Sequence, residues 1–327
     1  MPELPEVETI RRGLKSFILH RKIVKTDILC DKSFMGQPTT GTVINIRRFG
    51  KALIIDLDDH QSLMIHLRMT GQLIYDSADH KTTDRYAAGH PSDNFTAKLP
   101  NKQTRVILHF NNGTLYFNDQ RKFGFIKVID TSEVPHDPFI KKLAHEPWQM
   151  PEADFYDKLM HHANSSIKAT ILDQTVICGL GNIYADEALF SAKIHPLRKC
   201  GTLSKAEASS LLRAACTVMD KSIASGGSTM ATYVKADGTK GDYLQKFAKV
   251  FRRDGEPCPV CGTKIIKIRV AGRGTHICPN CQPTPVISQA SAGQNSEKAS
   301  PKPSKKKGTR KWSRFLLATI ALKLSKK

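Results

Sequence analysis

At 327 residues the chain exceeds the roughly 100 to 200 residues of one domain, so two domains plus smaller appendages are expected. Its longest apolar run, Phe315 to Leu322 broken by Thr319, falls far short of the roughly 20 residues a membrane span needs, which excludes a spanning function. A net charge of +20, from 50 Lys and Arg against 30 Asp and Glu, favours a polyanionic partner over mere solubility.

The amino terminus, Met1-Pro2-Glu3-Leu4-Pro5-Glu6, is acidic and Pro-rich, unlike the basic and then apolar start of a secretory signal, so a cytoplasmic protein is expected. Residues 4 to 18 read as a helix, with Val7, Ile10, Leu14, Phe17 and Ile18 at helical spacing and Glu3, Glu6 and Glu8 at its positive end. From about 23 to 130 short runs rich in Ile, Leu and Val read as strands: 42–46, 52–57, 62–67, 105–110, 114–118 and 125–129. Turn signals at Asp58-Asp59-His60 and Asn111-Asn112-Gly113 predict antiparallel pairing in a sandwich. Residues 76 to 103 are polar and read as a long loop.

Strand signals stop after Pro135 and helical ones begin. Two helical stretches between Lys168 and Lys193 flank Gly179-Leu180-Gly181-Asn182, a helix, turn and helix beside basic residues. A longer helix is predicted over 204–225, started by a Ser204 and Glu207 capping box and ended by Gly226-Gly227.

Cys258-x-x-Cys261 and Cys278-x-x-Cys281, sixteen residues apart, have the spacing of a four-thiolate zinc site. Four thiolates leave no open coordination position, so one structural Zn2+ is expected and no metal chemistry. Between the pairs, 264–270 alternates as a strand, Ala271-Gly272-Arg273-Gly274 reads as a turn, and 275–277 returns, giving a zinc-pinned hairpin with Arg273 at its tip. Cys30, Cys178, Cys200 and Cys216 are scattered and read as reduced thiols. Beyond Gln282 the chain holds eleven Lys or Arg against one Glu and few large apolar residues before Trp312, a composition that does not order itself.

The fold class expected is therefore α+β and multidomain. Residues 1–134 form an amino-terminal helix and antiparallel β-sandwich, 135–256 a helical DNA-binding domain, 257–282 a four-cysteine zinc-finger β-hairpin, and 283–327 a basic, largely disordered tail.

Four motifs occur in order: Pro-Glu-Leu-Pro-Glu-Val-Glu-Thr from Pro2, Arg121-Lys122-Phe123-Gly124, Gly-Leu-Gly-Asn-Ile-Tyr-Ala from Gly179, and the four-cysteine hairpin. Together they resemble the bacterial formamidopyrimidine-DNA glycosylases, over residues 2 to 282. The resemblance implies a helix, two-turn, helix fold for the helical part. It also implies a bifunctional glycosylase and lyase that removes oxidised purines, such as 8-oxoguanine and formamidopyrimidines, from damaged double-stranded DNA and cuts the strand by β,δ-elimination. A monomer is expected.

An amine that attacks the sugar carbon can form a Schiff base there. Pro2 becomes such an amine once Met1 is removed, and an α-amine titrating near roughly 7.7 to 8.0 is partly neutral without extreme tuning. Glu3, next to it, takes the general acid/base role by resemblance. Glu6 matches the active site too, although capping the helix is an equally physical use for it. Lys51 matches a catalytic-site lysine beside the lesion's phosphate, and Arg273 a catalytic-site arginine. His66, Lys168 and Asn182 match positions that, with Arg273, grip the backbone around the flipped nucleotide.

Extruding a base leaves a hole, and Met69, Arg121 and Phe123 match the family's three-residue wedge. The common pattern has a second arginine where this chain has Lys122, which weakens a bidentate contact and leaves Arg121 intact. The segment 226–240, with Ser228, Thr229, Tyr233 and Gly238, matches the cover over the extruded base. The tail lies outside the resemblance, and its lysines and arginines are expected to add non-specific DNA affinity first, with a membrane surface or a partner protein as other uses. A sibling enzyme that prefers oxidised pyrimidines usually has Gly where this chain has Leu4, and a non-catalytic zinc-finger binder would not need Pro2, Glu3 and Lys51 together.

Overall fold

A computed structural model describes residues 2–78, 85–90, 96–227, 231–233 and 243–284. The chain opens with α1 (Leu4–Ile18), then runs through β1 (Lys22–Ile28), β2 (Phe34–Met35), β3 (Gly41–Phe49), β4 (Ala52–Leu57), β5 (Gln61–His66), β6 (Gly71–Ser77), β7 (Arg85–Gly89), β8 (Thr104–Phe110), β9 (Gly113–Asp119) and β10 (Phe125–Asp130). Helices α2 (Pro138–Lys141), α3 (Glu152–His161), α4 (Ile167–Ile171), α5 (Asn182–Ser191) and α6 (Lys205–Ala224) follow. The remainder is β11 (Ala231–Tyr233), α7 (Tyr243–Lys246) and the hairpin β12 (Ile266–Val270) and β13 (Arg273–Ile277).

The α+β class stands. Strands β7-β6-β9-β8-β1 and β3-β4-β5-β10 form two antiparallel ladders joined where β1 pairs with β3. The inward residues of both ladders, among them Val43, Leu53, Leu73, Leu108 and Phe117, share one core with Val7, Ile10, Leu14 and Ile18 of α1. Alternation of apolar positions makes each strand one-sided, and α1 closes the core with its single apolar stripe.

Two expectations need correction. Residues 76–103 are not one loop, because β7 lies inside them and pairs with β6. Its polar flank hides the strand: Arg85 donates to Asp76 across the ladder at 2.5 and 2.7 Å, so a charge pair replaces the apolar alternation that marks a strand. Pairing is also not wholly antiparallel, since β2 runs parallel to β10.

Helices α3 to α6 build a second core around Phe155, Ile171, Tyr184, Leu189 and Leu212. The predicted cap of α6 is present, with Ser204 Oγ accepting from Glu207 N–H and the Glu207 carboxylate accepting from Ser204 N–H. Leu4 belongs to this helical core, whereas Val7 and the rest of the α1 stripe belong to the sheet core. One turn of helix therefore bridges two hydrophobic bodies and fixes the amino terminus at their seam. Among the described residues no helix is long and apolar enough to cross a membrane. The tail, and the cover segment apart from Gly226, Gly227 and the backbone of β11, lie outside the described residues.

Candidate active site at the amino-terminal seam

Leu4 N–H donates to the Gly179 carbonyl at 3.2 Å, which docks the start of α1 on the Gly-Leu-Gly turn. Glu3, only 3% exposed, lies at the amino-terminal end of α5. Its carboxylate accepts from the backbone N–H groups of Gly181, Ile183 and Tyr184 at 2.8, 2.9 and 3.3 Å. Those N–H groups are the unpaired donors that every helix start leaves, so they form a ready anion site.

The two glycines are required by this contact. A Cβ on Gly179 would lie 2.3 Å from Leu4 Cδ1, and one on Gly181 would lie 2.3 Å from Glu3 Cδ. Gly181 itself has φ −128°, a conformation open to any residue, so its constraint is purely steric. Gly181→Ala is expected to displace the Glu3 carboxylate from these donors and to lower the melting temperature by several degrees, because the freed backbone N–H groups stay buried; a thermal melt checks it.

Burial pushes the Glu3 carboxyl up to about 7, with Lys51 and the helix N–H groups pulling it down and Glu6 pushing it further up. A carboxyl poised there carries a proton in an appreciable fraction of molecules at neutral pH. Lys51 follows Gly50, whose φ of +54° sets the tight turn between β3 and β4. Its Nζ is buried and donates to the Leu180 carbonyl at 2.7 Å, so both Glu3 and Lys51 contact the Gly179–Tyr184 segment. Burial draws the Lys51 ammonium below the usual lysine range, opposed mainly by Glu3.

Glu6 has the helix-capping geometry, accepting from Glu3 N–H at 2.8 Å. It also accepts from Tyr184 Oη, which contacts Ser222 Oγ, linking α1 to α5 and α6. Tyr184 and Ser222 carry no sequence signal for this role, because no local pattern joins residues this far apart.

Two cavities adjoin across Asn182 and Arg273. One, of about 250 Å³, is lined by Lys51, His66, Arg68, Leu180, Asn182 and Arg273 among others. The second, of about 270 Å³, is lined by Glu3, Met69, Ile183, Phe251 and Arg252 with the same Asn182 and Arg273. A larger cavity of about 530 Å³ between α6 and residues 246–259 shares no residue with either, so size alone does not locate the chemistry.

In the first cavity His66 Nδ1 accepts from Arg68 N–H at 3.0 Å, which leaves Nε2 as the ring's donor. Burial, then Arg68 and Lys51, press the His66 pKa down to about 3, so the imidazole is neutral. Asn182 opens α5, and its Nδ2 donates to the Gly274 carbonyl at 3.0 Å.

Lys168, matched in sequence to the backbone grip, is wholly buried. Its side chain is 0% exposed, with Nζ donating to Asp186 at 2.6 Å and Thr275 Oγ1 at 2.7 Å. Asp186 in turn accepts from His276 N–H at 2.9 Å. Lys168 thus fastens the hairpin to the helical core, and removing one partner of such a buried pair typically costs about 3–5 kcal/mol. Arg273 is exposed and opens β13, paired with Val270, while Ala271 and Gly272, both at positive φ, make the actual tip.

The four cysteine Sγ atoms lie within 4.8 Å of one another. Cys261 and Cys278 are 3.4 Å apart and Cys258 and Cys281 3.9 Å, too long for a disulfide and near the roughly 3.8 Å edge of a tetrahedral Zn–thiolate site. Cys258, Cys261, Cys278 and Cys281 hold one structural Zn2+. Cys258 and Cys278 also pack with Phe190, Val250 and Ile265, so the metal site is continuous with the protein's packing.

Met69 and Phe123 are 40% and 57% exposed, and the Arg121 guanidinium lies 4.9 Å from the Phe123 ring centre. The loop is held by buried Asp119, which accepts from the backbone N–H groups of Arg121, Phe123 and Gly124 at 3.1, 2.8 and 2.7 Å. Lys122, where the family's second arginine is usual, takes φ +57° in this loop. Asp119 is a site-shaping residue that the sequence signals only as a polar strand end before a turn.

The sequence matches the formamidopyrimidine-DNA glycosylase N-terminal domain over residues 1–126, the corresponding H2TH domain over 143–234 and the zinc finger found in FPG and IleRS over 255–284. It is 38% identical to the formamidopyrimidine-DNA glycosylase of Desulfitobacterium hafniense over 86% of this chain and all of that protein. Among solved structures it resembles a Lactococcus lactis FPG variant bound to Fapy-dG-containing DNA, at TM-score 0.75 and 34% identity, covering 86% of this chain and 100% of the other. The Lactococcus lactis protein non-covalently bound to DNA containing an AP site gives TM-score 0.73 and 33% identity at the same coverage. Sheet, helical and zinc-finger parts in this order make the chain a DNA glycosylase. Within that class it belongs to the formamidopyrimidine-DNA glycosylase family.

Proposed function

We propose that the protein releases oxidised purines from duplex DNA and then cuts the strand, with the Pro2 amine as nucleophile. The observation that carries the reading is Glu3: a buried carboxyl near pKa 7, adjacent in sequence to Pro2 and fixed by three backbone donors on the wall of a base-sized cavity.

With Met1 removed, Pro2 N is a secondary amine, and its lone pair attacks the sugar C1′ as the bond to the base breaks. Glu3 delivers its proton to the ring oxygen as the sugar opens, the amine's own proton passes to the departing base, and the nitrogen is left as an iminium balanced by the Glu3 carboxylate. The iminium acidifies the adjacent C2′ proton, and loss of that proton expels the 3′ phosphate. A second elimination expels the 5′ phosphate, leaving phosphate at both ends of the gap. Lys51, His66, Asn182 and Arg273 surround the first cavity with donors suited to the flanking phosphates, which fixes the strand while the sugar reacts. Met69, Arg121 and Phe123 fill the vacated stack, and Lys168 supports the grip indirectly by anchoring the hairpin that bears Arg273.

The partner is damaged double-stranded DNA, in keeping with the lesion-bearing DNA named in the related complexes. A duplex with 8-oxoguanine opposite cytosine, labelled at the 5′ end, tests the reaction. Phosphate on both sides of a one-nucleotide gap is expected. Base release with an intact strand would overturn the lyase half of the reading.

A further inference from the structure

The second cavity contains a cation that the mechanism above does not use. Arg252 lines it beside Glu3, Met69, Ile183 and Phe251. Its backbone sits at φ +60°, a left-handed conformation that disfavours any residue with a Cβ and is the usual preserve of glycine. Six other non-glycine residues share this conformation, Arg68 and Lys122 among them, and Arg252 is exposed, so its side chain gives the backbone no packing return.

Among the described residues the Arg252 guanidinium makes no hydrogen bond and no ion pair. It lies over the Phe251 ring, 5.8 Å from the centroid, and its charge acts on His90. Neighbouring Arg253 is the reverse case, donating to Glu256 at 2.7 Å and to the Ala248 carbonyl at 3.3 Å. One arginine of the pair is committed to structure, and the guanidinium of the other lies over Phe251, which lines the same cavity.

The two cavities divide the chemistry of a nucleotide. Lys51, His66 and Arg68 line only the first, which suits phosphate. Met69, Ile183 and Phe251 line only the second, and such apolar walls suit the faces of a planar base. Arg252 belongs to the second set alone. A guanidinium is the donor fork that reads purine acceptor edges, and an oxidised or ring-opened guanine adds a carbonyl oxygen to the one it already has.

We propose that Arg252 is a lesion-recognition residue that donates to the carbonyl oxygens of the extruded purine. The inference rests on the excision reading above and adds a residue that distinguishes base from sugar and phosphate.

The test compares single-turnover release of 8-oxoguanine with cleavage of a preformed abasic site in the same duplex, for wild type, Arg252→Gln, Arg252→Gly and Arg252→Lys. Loss of one charge-assisted hydrogen bond predicts base release slowed about 10- to 100-fold in Gln and Gly, less in Lys, with abasic cleavage within about 2-fold. Glycine accepts φ +60°, so Arg252→Gly is expected to melt at or above the wild-type temperature, which separates recognition from folding. Unchanged base release, or an equal fall in both reactions, overturns the proposal: the first means no contact and the second a phosphate or structural role. A wild type that neither releases the base nor cuts the abasic site would overturn the excision reading together with this one, whereas variants equal to an active wild type overturn this one alone.

Discussion

Glu3→Gln is expected to slow base excision by roughly 10²- to 10⁴-fold, the range for removing a positioned general acid, while a tetrahydrofuran abasic analogue in duplex still binds within about 3-fold. Gln keeps the shape but cannot donate a carboxyl proton. It also cannot satisfy all the donors that Glu3 now meets. Oε1 accepts from Ile183 N–H and Oε2 from Gly181 and Tyr184, so an amide NH2 in either place opposes at least one backbone N–H. A lowered melting temperature is therefore expected alongside the kinetic loss, and a titration against the abasic analogue separates the two effects.

The pH dependence follows from the same group. Glu3 is raised to about 7, so the protonated acid is lost as pH climbs through that value. An α-amine near roughly 7.7–8.0 is lost as a nucleophile as pH falls below it. Excision is then bell-shaped with its maximum between about pH 7 and 8, and the alkaline limb belongs to Glu3. Glu3→Gln should flatten that limb, and a single-turnover pH profile reads it. The raised pKa also has a stability sign: the folded state binds the Glu3 proton more tightly than the unfolded chain, so that contribution is largest at low pH and is lost as pH rises from the ordinary carboxylate range to about 7.

Zinc removal carries the second large effect. Structural zinc contributes roughly 10–16 kcal/mol of apparent binding free energy in small finger peptides, so a chelator that strips the four thiolates unfolds the hairpin. The hydrogen bonds from Lys168 to Thr275, from Asn182 to Gly274 and from His276 to Asp186 go with it, and Arg273 loses its place beside both cavities. DNA affinity is expected to fall at least about 100-fold, and Cys258→Ser should reproduce the loss without chelator. The sheet core contains none of these residues, so circular dichroism of the strands should persist. Retained affinity in zinc-free protein would show that the hairpin is not part of the grip.

Periodicity and spacing make much of this legible. The α1 stripe, the Ser204 and Glu207 cap of α6 and the paired C-x-x-C turns all stand as read, because each is a local pattern whose physics acts within a few residues. What the sequence hides depends on partners far along the chain. β7 is obscured because Arg85 pairs with Asp76 instead of alternating with apolar neighbours. The burial of Lys168 depends on Asp186 and Thr275, and no composition rule distinguishes it from an exposed phosphate-binding lysine. Arg252 gives no sequence signal, since a free guanidinium and a left-handed backbone are invisible in one dimension. The Gly179 and Gly181 turn is legible through the resemblance, and the Cβ clashes with Leu4 and Glu3 supply the reason that small residues stand there.

The central claim is that the amine of Pro2 attacks the sugar. Incubating the protein with an 8-oxoguanine duplex in borohydride should reduce the iminium to a stable cross-link, and mass spectrometry of the digested adduct should locate the sugar remnant on Pro2 at the start of the chain. An adduct on a lysine, or none from protein whose Pro2 amine is confirmed free, would contradict the account.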